Sequence, residues 1–506
     1  MTTQFSRWLI LAAVLLAFLP IAINMTILHI AVPPMTLALN ASGSQILWII
    51  DIYPLIMAGL LVPMGALADR VGHRRLLLSG LAAFLMASVI AAYASIAEVL
   101  IGARALLAVG GAMVLPNVLA IIRQTFDSPE EMGLALGLWS TVASAGAALG
   151  PLAGGLLLEH FWWGAVFLIN VPVILAVWLL AYVTLPSHTL EVQGKWQLGQ
   201  ALVFLLGLIS TIFAIKSGFN VDSRPGPSWL AAGTGLGLLG WFVRLQLCSR
   251  NPMLDLQLFS TPAVSMGVVT AMVVSGSLAG IEMTIAQELQ FIVGLTPLQA
   301  GLFLLPLILA SAIGGPVVGY LVGIFGLRQV AAFSLFISSA SLAGLGVSDF
   351  GAAGAGVVAL LFFLGLTLGI GLTASSLAIM SSVRPEKAGV AGSLEGTGYE
   401  LGAGLGITLF GVLLSSSYAN SLRLPDHLVG HLPSSAARSV GETIAAARSI
   451  GLDDNVLKGA ISAAFSSAHS TVLLTGALAF GLVGITVFVA LRHYKPIEGA
   501  TAHGDV

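Results

Sequence analysis

The chain has 506 residues, of which 57% are hydrophobic and only 8% charged, and its mean hydropathy is +1.00. A soluble fold of this composition would expose far too much apolar surface, so the composition indicates a polytopic membrane protein. The net charge of -2 and the lack of a basic tract argue against nucleic acid as a partner, and the single cysteine, Cys248, excludes an intramolecular disulfide.

Fourteen stretches are apolar and long enough to cross a bilayer as helices, which takes about 20 residues each. The first is expected to be retained, because it is too long for a signal-peptide core and has no small-residue cleavage site. The predicted spans are 8–30, 46–68, 76–94, 98–122, 132–158, 164–185, 198–215, 228–247, 263–292, 297–325, 329–347, 354–382, 388–416 and 471–492.

The positions of the basic residues support this alternation. With the N-terminus in the cytoplasm, 13 of the 20 Lys and Arg residues fall on the inside and only two in the short outside loops. That excess is what the positive-inside rule requires of an even number of spans. We therefore expect both termini to be cytoplasmic.

The first two segments carry polar side chains at membrane depth. Asn24 lies within the first, and Asp51 lies within the second, flanked by Trp48 and Tyr53. Ionisable and amide groups are costly there and mark functional positions by default. A plain packing role is the alternative for Asn24.

The second segment ends in "GALADRVGHRR". Its glycines allow close backbone approach, and its charges are expected to form a cytoplasmic latch that breaks and reforms as two halves of the protein rock. An ordinary basic inside loop is the alternative. The residues of this predicted latch are Gly65, Asp69, Arg70, Gly72, Arg74 and Arg75.

Two further motifs follow in the fourth and fifth segments. Arg104 lies about two turns inside the fourth, where a bare charge is costly, so we expect an acidic or carbonyl partner; snorkelling to the headgroups is the alternative. The fifth contains "GAALGPLAGG", whose small residues predict a tightly packed, bent helix. The motif residues of this helix are Gly146, Gly150, Pro151, Gly154 and Gly155.

Acidic residues also lie within the ninth and thirteenth segments: Glu282 and Glu288 in the former, Glu395 and Glu400 in the latter. Burial favours the neutral form of a carboxyl group, and the ionised form attracts a cation, so one group can bind a proton and a cationic drug in competition. Tyr399 would add a cation-π contact. A helix-helix hydrogen bond is the alternative for each acid, and for Glu288 it is as well supported as function.

The longest polar segment, 417–470, is predicted to lie outside and to contain two short helices, because two of its stretches are alanine-rich and begin at Ser or Asp. These could form a hairpin over the exit of a transport path. A mere spacer is the alternative.

An internal repeat relates the two halves of the chain. "GALADRVGHR" matches "GYLVGIFGLR" from Gly319, "GAALGPLAGG" matches "GAGLGITLFG" from Gly402, and "NMTI" from Asn24 matches "EMTI" from Glu282. The three matches occur in the same order at nearly one spacing, about 255 residues, which is typical of a transporter built from parallel repeats. Helices 7 and 8 are left unpaired between two six-helix halves.

These motifs resemble those of the major facilitator superfamily: "GALADRVGHRR" its loop between helices 2 and 3, "RALLAVGGA" its fourth-helix arginine motif, and "GAALGPLAGG" the fifth-helix motif of its drug/proton antiporters. With fourteen helices and "WIIDIY" in helix 2, nearly the whole chain is similar to the fourteen-helix multidrug efflux branch, and most similar to its methyl-viologen and quaternary-ammonium pumps. These pumps typically carry an aspartate where this chain has Asn24.

The resemblance implies an all-α membrane protein of the major facilitator fold, with two six-helix bundles and two inserted helices. We predict bundles at 1–188 and 261–506, linker helices at 189–260 and an extracellular loop at 417–470. The implied function is proton-coupled efflux of lipophilic cations by a monomer in the bacterial inner membrane, a trait of antimicrobial resistance. No enzymatic activity and no cofactor other than the proton gradient are expected, and the partners are cationic substrates, protons and membrane lipid.

Position 24 is where the chain departs from this pattern. Both the resemblance and the internal repeat, which pairs position 24 with Glu282, predict a carboxylate at this position. Asparagine carries an amide, which cannot titrate. Either the chain has fewer proton sites than its relatives, or it is a charge-neutralised variant that holds one state; we favour the second.

Other classes of function are less well supported by the sequence. A proton-coupled importer would share the fold, but it should present polar sugar- or acid-binding groups rather than several carboxylates. An intramembrane enzyme or an ATP-driven pump would need motifs such as HExxH, GxSxG or a nucleotide-binding loop, which the sequence does not contain.

Overall fold

The computed structural model describes residues 4–126, 128–185, 198–218, 225–249, 252–352, 354–383, 388–423, 437–449 and 455–493. Within these residues fourteen spans are helical, long and apolar enough to cross a membrane, as predicted. The all-α fold class is thereby confirmed.

The helices agree with the predicted spans within a few residues in most cases. The sixth span is formed by α6 and α7 together, and α15 is a short helix in the predicted outside loop. The bounds are α1 Gln4–Leu39, α2 Gly43–Val71, α3 His73–Ala92, α4 Ala97–Thr125, α5 Pro129–His160, α6 Ala165–Leu168, α7 Asn170–Thr184, α8 Leu198–Gly218, α9 Pro225–Cys248, α10 Pro262–Gln287, α11 Pro297–Phe325, α12 Leu327–Gly346, α13 Ala355–Met380, α14 Ala388–Ser421, α15 Val440–Ser449 and α16 Asn455–Ala490.

The largest differences from prediction lie at the two ends of the chain. α1 continues to Leu39, through Pro33 and Pro34, instead of ending near residue 30. The loop 417–470 contains one separate helix, α15, as expected, but the second predicted short helix is the first part of α16. No proline interrupts 455–490, so the helix continues unbroken. Residues 424–436 and 450–454 of the loop lie outside the described part.

Local chemistry fixes several helix ends. Ser42 and Gln45 form a reciprocal capping box at the start of α2, with Oγ accepting from the Gln45 N–H at 3.2 Å. Gly72 separates α2 from α3 with φ +95°, and Gly326 separates α11 from α12 with φ +80°. Because positive φ favours glycine, these two residues permit a sharp turn at equivalent places in the repeat.

The chain divides into two compact units. Unit 1 comprises Met1–Thr211, Ala231–Leu239 and Leu295–Leu302; unit 2 comprises Ile212–Leu230, Gly240–Gly294 and Phe303–Val506. The predicted bundle limits stay a prediction, and the one at 188/189 lies outside the described residues.

The same helix pairs recur in both units. In unit 1, α1 packs on α5 and α3 packs on α4 and α7; in unit 2, α10 packs on α14 and α12 packs on α13 and α16. The repeat seen in the sequence is therefore a repeat of helix packing.

One arginine shows this repeat at the level of atoms. Arg74 donates to the Tyr182 carbonyl at 2.5 Å and lies over the Tyr182 ring, 5.1 Å from its centroid. Its mate Arg328 donates to the Phe488 carbonyl at 2.8 Å and lies over the Phe488 ring at 3.8 Å. Arg74 thus ties the start of α3 to α7, and Arg328 ties the start of α12 to α16.

Candidate functional site

Asn24 is buried in α1, with 1% of its surface exposed. Neither atom of its amide group has a hydrogen-bond partner among the described residues. A polar group buried in this way costs free energy, so the position is not explained by local packing alone.

The glycines of α5 hold α1 closely on both sides of this amide. A Cβ on Gly146 would lie 2.6 Å from the Ala22 Cβ, and one on Gly150 would collide with Thr26. The Thr26 hydroxyl donates to the Ala147 carbonyl at 2.9 Å, across the same contact. Gly154 continues the contact to Ile27. The glycine motif therefore sets the position of Asn24.

The other face of α5 contacts the beginning of α11, within unit 1. A Cβ on Gly155 would lie 2.6 Å from the Leu298 Cα, and one on Gly301 would lie 2.8 Å from the Pro151 carbonyl oxygen. The Thr296 hydroxyl donates to the Glu159 carboxylate at 2.7 Å nearby. The motif thus packs α5 tightly against two helices, α1 and α11.

Arg104 has the carbonyl and acidic partners that its depth requires. Its Nε donates to the Ile49 carbonyl at 3.0 Å, and Nη2 contacts the Ile50 carbonyl at 3.4 Å. The guanidinium lies over the Tyr53 ring, 4.7 Å from the centroid, and is attracted by the buried Asp51. With 2% of its surface exposed, Arg104 does not snorkel.

Within the described part of the chain, the charged residues at the junction of α2 and α3 do not form a network of acids and arginines. Asp69 lies 3.6 Å from His73 Nε2, while His73 Nδ1 contacts the Asn117 side-chain oxygen at 2.8 Å. Arg70 and Arg75 are exposed, and Gly65 faces Pro116. Together with Arg74 on Tyr182, these contacts are local to unit 1, and the predicted latch role stays a prediction.

Among the carboxyl groups that unit 2 buries are Glu282 on α10 and Glu400 on α14. Ser275 Oγ donates to the Tyr399 carbonyl at 2.7 Å, which fixes the register of the two helices. Glu282 lies about two helical turns beyond Ser275 on α10, and Glu400 directly follows Tyr399 on α14. The Tyr399 phenol interacts electrostatically with both acids.

The third acid of this region, Glu395, is half-buried and accepts a hydrogen bond from Ser376 Oγ at 3.2 Å. Glu400 differs, because its Oε2 atom has no hydrogen-bond partner among the described residues. The helix-helix hydrogen bond considered as an alternative role is therefore present for Glu395 and was not found for Glu400 Oε2.

The glycine stripes of the two repeats meet their partner helices at different heights. Gly146 faces Ala22, two residues before Asn24, whereas Gly402 packs on Met272 and Ser275, well before Glu282. The glycine contact therefore lies close to Asn24 in unit 1, but about two helical turns further from the matching residue, Glu282, in unit 2.

Two buried histidines have positions that the sequence motifs did not indicate. His29 of α1 lies within electrostatic range of Arg104. His469 of α16 faces Glu288, with its Nδ1 3.6 Å from the carboxylate. Each is an isolated histidine in an apolar stretch, and only its presence at membrane depth was available as a signal.

The structure brings the predicted residues together in two groups, one in each unit. Asp51 interacts electrostatically with Arg104 in unit 1, and Tyr399 does so with both Glu282 and Glu400 in unit 2. Repeated helix packing with charged groups buried at membrane depth is typical of a transporter.

The sequence agrees with this class. Residues 14–407 match the Major Facilitator Superfamily, and the chain belongs to that family. It is therefore a multi-pass membrane transporter and not an enzyme.

Two relatives match this chain over almost its whole length. The methyl viologen resistance protein SmvA of Salmonella typhimurium is 41% identical over 96% of this chain and 99% of its own length. The multidrug efflux pump LfrA of Mycolicibacterium smegmatis is 34% identical over 97% of each chain.

Solved structures show the same fold. A bacterial homolog of the human lysosomal transporter Spinster, in an inward-facing and unoccupied conformation, superposes with a TM-score of 0.70 at 17% identity and covers 98% of this chain and 100% of its own.

Proposed function

We propose that the protein exports lipophilic cations, such as quaternary ammonium compounds, dyes and methyl viologen, in exchange for protons. Two relatives that match over nearly their full lengths are named for methyl viologen resistance and for multidrug efflux. Their names support small organic substrates of this kind.

The observation that carries the proposal is the environment of Glu400. This carboxyl group is 4% exposed, and its Oε2 atom has no hydrogen-bond partner among the described residues. An ionised carboxylate left in this setting is strongly disfavoured, so the site is stable either with a proton or with a bound cation. Exchange of one for the other is the elementary step of a proton/cation antiporter.

Tyr399 and Glu282 extend this site. The phenol adjacent to Glu400 offers a π face to a flat or quaternary cation, and Glu282 supplies a second acid on the neighbouring helix. Two acids on neighbouring helices suit a divalent cation such as methyl viologen. We assign Glu395 a supporting role in attracting the cation. We assign Asp51 the role of balancing the positive charge of Arg104.

Asn24 is the altered proton position in this proposal. It is buried and is held in place by the α5 glycines, and its amide has the shape of an aspartate without its titration. An aspartate here would give unit 1 a titratable group in α1. We therefore assign Asn24 to a charge-neutralised site that weakens or removes one step of proton exchange.

The proposal also covers the setting of the protein. We place it in the bacterial inner membrane as a monomer that uses the proton gradient as its energy source, with no cofactor. The placement of the basic residues supports cytoplasmic termini.

Transport in proteoliposomes tests the proposal. The chain as given and its Asn24→Asp variant are reconstituted, a pH gradient is imposed, and the transport of ethidium and methyl viologen is followed with and without a protonophore. We expect gradient-dependent transport by the Asp form and slower or no transport by the Asn form.

Each other outcome has a defined meaning. If both forms transport equally, proton coupling belongs to Glu282 and Glu400 and the interpretation of Asn24 is wrong. If neither form responds to the gradient, the proton/cation antiport proposal is wrong.

A further inference from the structure

A further buried acid of unit 2, Glu288, lies where α10 changes its helical geometry. The α-helix ends at Gln287, and Glu288–Ile292 form a π-helical turn in which the Val293 N–H donates to the Glu288 carbonyl at 3.0 Å. Such wide turns are rare and are frequent at functional sites, because the extra residue changes where side chains point.

Two side chains of α16 meet this carboxylate. Ser466 Oγ donates to Glu288 Oε1 at 2.9 Å, and His469 Nδ1 lies 3.6 Å from Oε2. Ser466 and His469 are three residues apart and therefore share one face of the helix. Glu288 is 5% and His469 3% exposed. The result is a carboxylate and an imidazole buried side by side.

The imidazole has unused hydrogen-bonding capacity. Its Nε2 atom has no hydrogen-bond partner among the described residues, and its ring packs edge-on against Phe350, with centroids 4.9 Å apart. A buried imidazole of this kind is costly as a purely structural element. It is well suited to accept and release a proton.

The surroundings connect this pair to the surface. Asp349, next to Phe350, is exposed and interacts electrostatically with Glu288. On the other side Phe291 and Ile292 pack against the buried cluster that contains Tyr418 and Phe465. The titratable side chains on the described elements around the π turn are Glu282 on α10, Asp349 before α13, Tyr418 on α14, Glu442 and Arg448 on α15, and Lys458 and His469 on α16.

We propose that Glu288 and His469 form a proton-relay site between Asp349 at the surface and Glu282 within α10. A proton from the aqueous surface beside Asp349 binds the Glu288 carboxylate and is held by the pair as a neutral acid beside a neutral imidazole or as an ion pair. These two states have the same net charge, so neither leaves an isolated charge in the protein.

The second transfer returns the pair to its starting state. The proton passes to the Glu282 carboxylate over about 9 Å along the helix, a distance that bridging water has to span. The inference rests on the proposed proton antiport, because the Glu288 and His469 pair supplies protons to Glu282, one of the acids of the proposed antiport site. It adds residues that the sequence motifs do not contain.

Infrared titration of the purified full-length protein tests proton uptake without transport. Glu288→Gln should remove one carboxylic-acid C=O band from the pH-difference spectrum, and His469→Gln should move the midpoint of that band by about one pH unit or more. The surface variant Glu98→Gln should change neither. A spectrum unchanged by Glu288→Gln, or a midpoint unmoved by His469→Gln, would mean that the pair is only a structural contact.

Transport provides the second readout, in whichever form of residue 24 transports faster. Glu288→Gln and His469→Gln should each slow pH-gradient-driven ethidium transport by about tenfold or more, Glu288→Asp should restore much of the rate, and the Kd for ethidium should stay constant. A Kd that changes as much as the rate would place the pair in the substrate site and overturn the relay.

Each of the two proposals can be refuted without refuting the other. Loss of gradient-driven transport in both forms of residue 24 contradicts antiport, whereas the infrared result decides on the Glu288 and His469 pair in either case.

Discussion

The two units are built from the same helix pairs but treat buried charge differently. In unit 1 the buried Arg104 is attracted by Asp51, donates hydrogen bonds to backbone carbonyls and lies over the Tyr53 ring. In unit 2 Glu400 is equally buried, yet one of its oxygens has no partner among the described residues. A compensated charge can stay buried in its ionised form, whereas an uncompensated carboxyl binds a proton or a cation. The comparison favours a structural role for Arg104 in unit 1 and, as proposed, exchange chemistry at Glu400 in unit 2.

The largest effect is expected from Glu400→Gln, which removes the uncompensated acid while keeping its shape. Gradient-driven ethidium transport should fall roughly 100-fold, because the amide neither titrates nor attracts a cation. The measurement is the initial rate in proteoliposomes, in whichever form of residue 24 is active. Glu98→Gln in unit 1 is the matched control, since Glu98 is exposed, and its rate should not change.

A rate that survives Glu400→Gln would remove the main difference between the units. The exchange chemistry would then have to be sought at Glu282 or at position 24.

Arg104→Met tests the compensated charge. It leaves Asp51 buried beside an apolar side chain, and breaking a buried charge pair costs about 3–5 kcal/mol. The free energy of unfolding, from denaturant titration in detergent, should fall by that amount. The double variant Arg104→Met with Asp51→Asn should recover much of the loss; strictly additive losses would show that the two groups are not coupled.

Gly150→Ala and Gly406→Ala test whether both units depend on close helix contacts. A Cβ on Gly150 would collide with Thr26 of α1, and one on Gly406 would collide with Gly276 of α10. Forced overpacking costs about 1–3 kcal/mol, so thermal unfolding in detergent should occur at lower temperature for both. Gly102→Ala is the control, because nothing lies within 4 Å of its Cβ position; an equal loss there would point to a general effect of the substitution.

The smallest effect is expected at the arginines shared by the repeat. Arg74→Lys and Arg328→Lys should each lower stability by about 0.5–1 kcal/mol, because lysine stacks less well on the Tyr182 and Phe488 rings. Thermal unfolding of the two variants side by side is the measurement. Clearly unequal losses would show that the two contacts have diverged in importance.

Much of the fold was predictable because its signals are local. An apolar run of sufficient length defines a membrane helix regardless of its neighbours, and Gly72 and Gly326 mark turns through their own backbone angles. The end of α1 and the length of α16 were predicted less well, since prolines in a membrane helix need not end it and a polar helix can extend a membrane span.

The sequence predicted individual residues of the site but not the groups that each of them contacts. The sequence indicated that Arg104 needs a partner, but the carbonyls of Ile49 and Ile50 are more than 50 residues away, and helix rotation brings them there. Arg74 was expected to pair with acids and contacts Tyr182 instead. His469 carries no motif at all, because its meaning depends on Glu288, which lies on another helix.

The sequence by itself determined the membrane class, the fourteen spans, the parallel repeat and the polar positions worth testing, because hydropathy, charge placement and spacing act along the chain. Tertiary structure alone decided which of those polar groups have neighbours that balance their charge or form hydrogen bonds with them. That depends on the rotation and register of packed helices, as where Ser275 meets Tyr399 and α5 meets α1. The free energy of a buried charge is set by the atoms within a few ångströms of it, and these come from other helices.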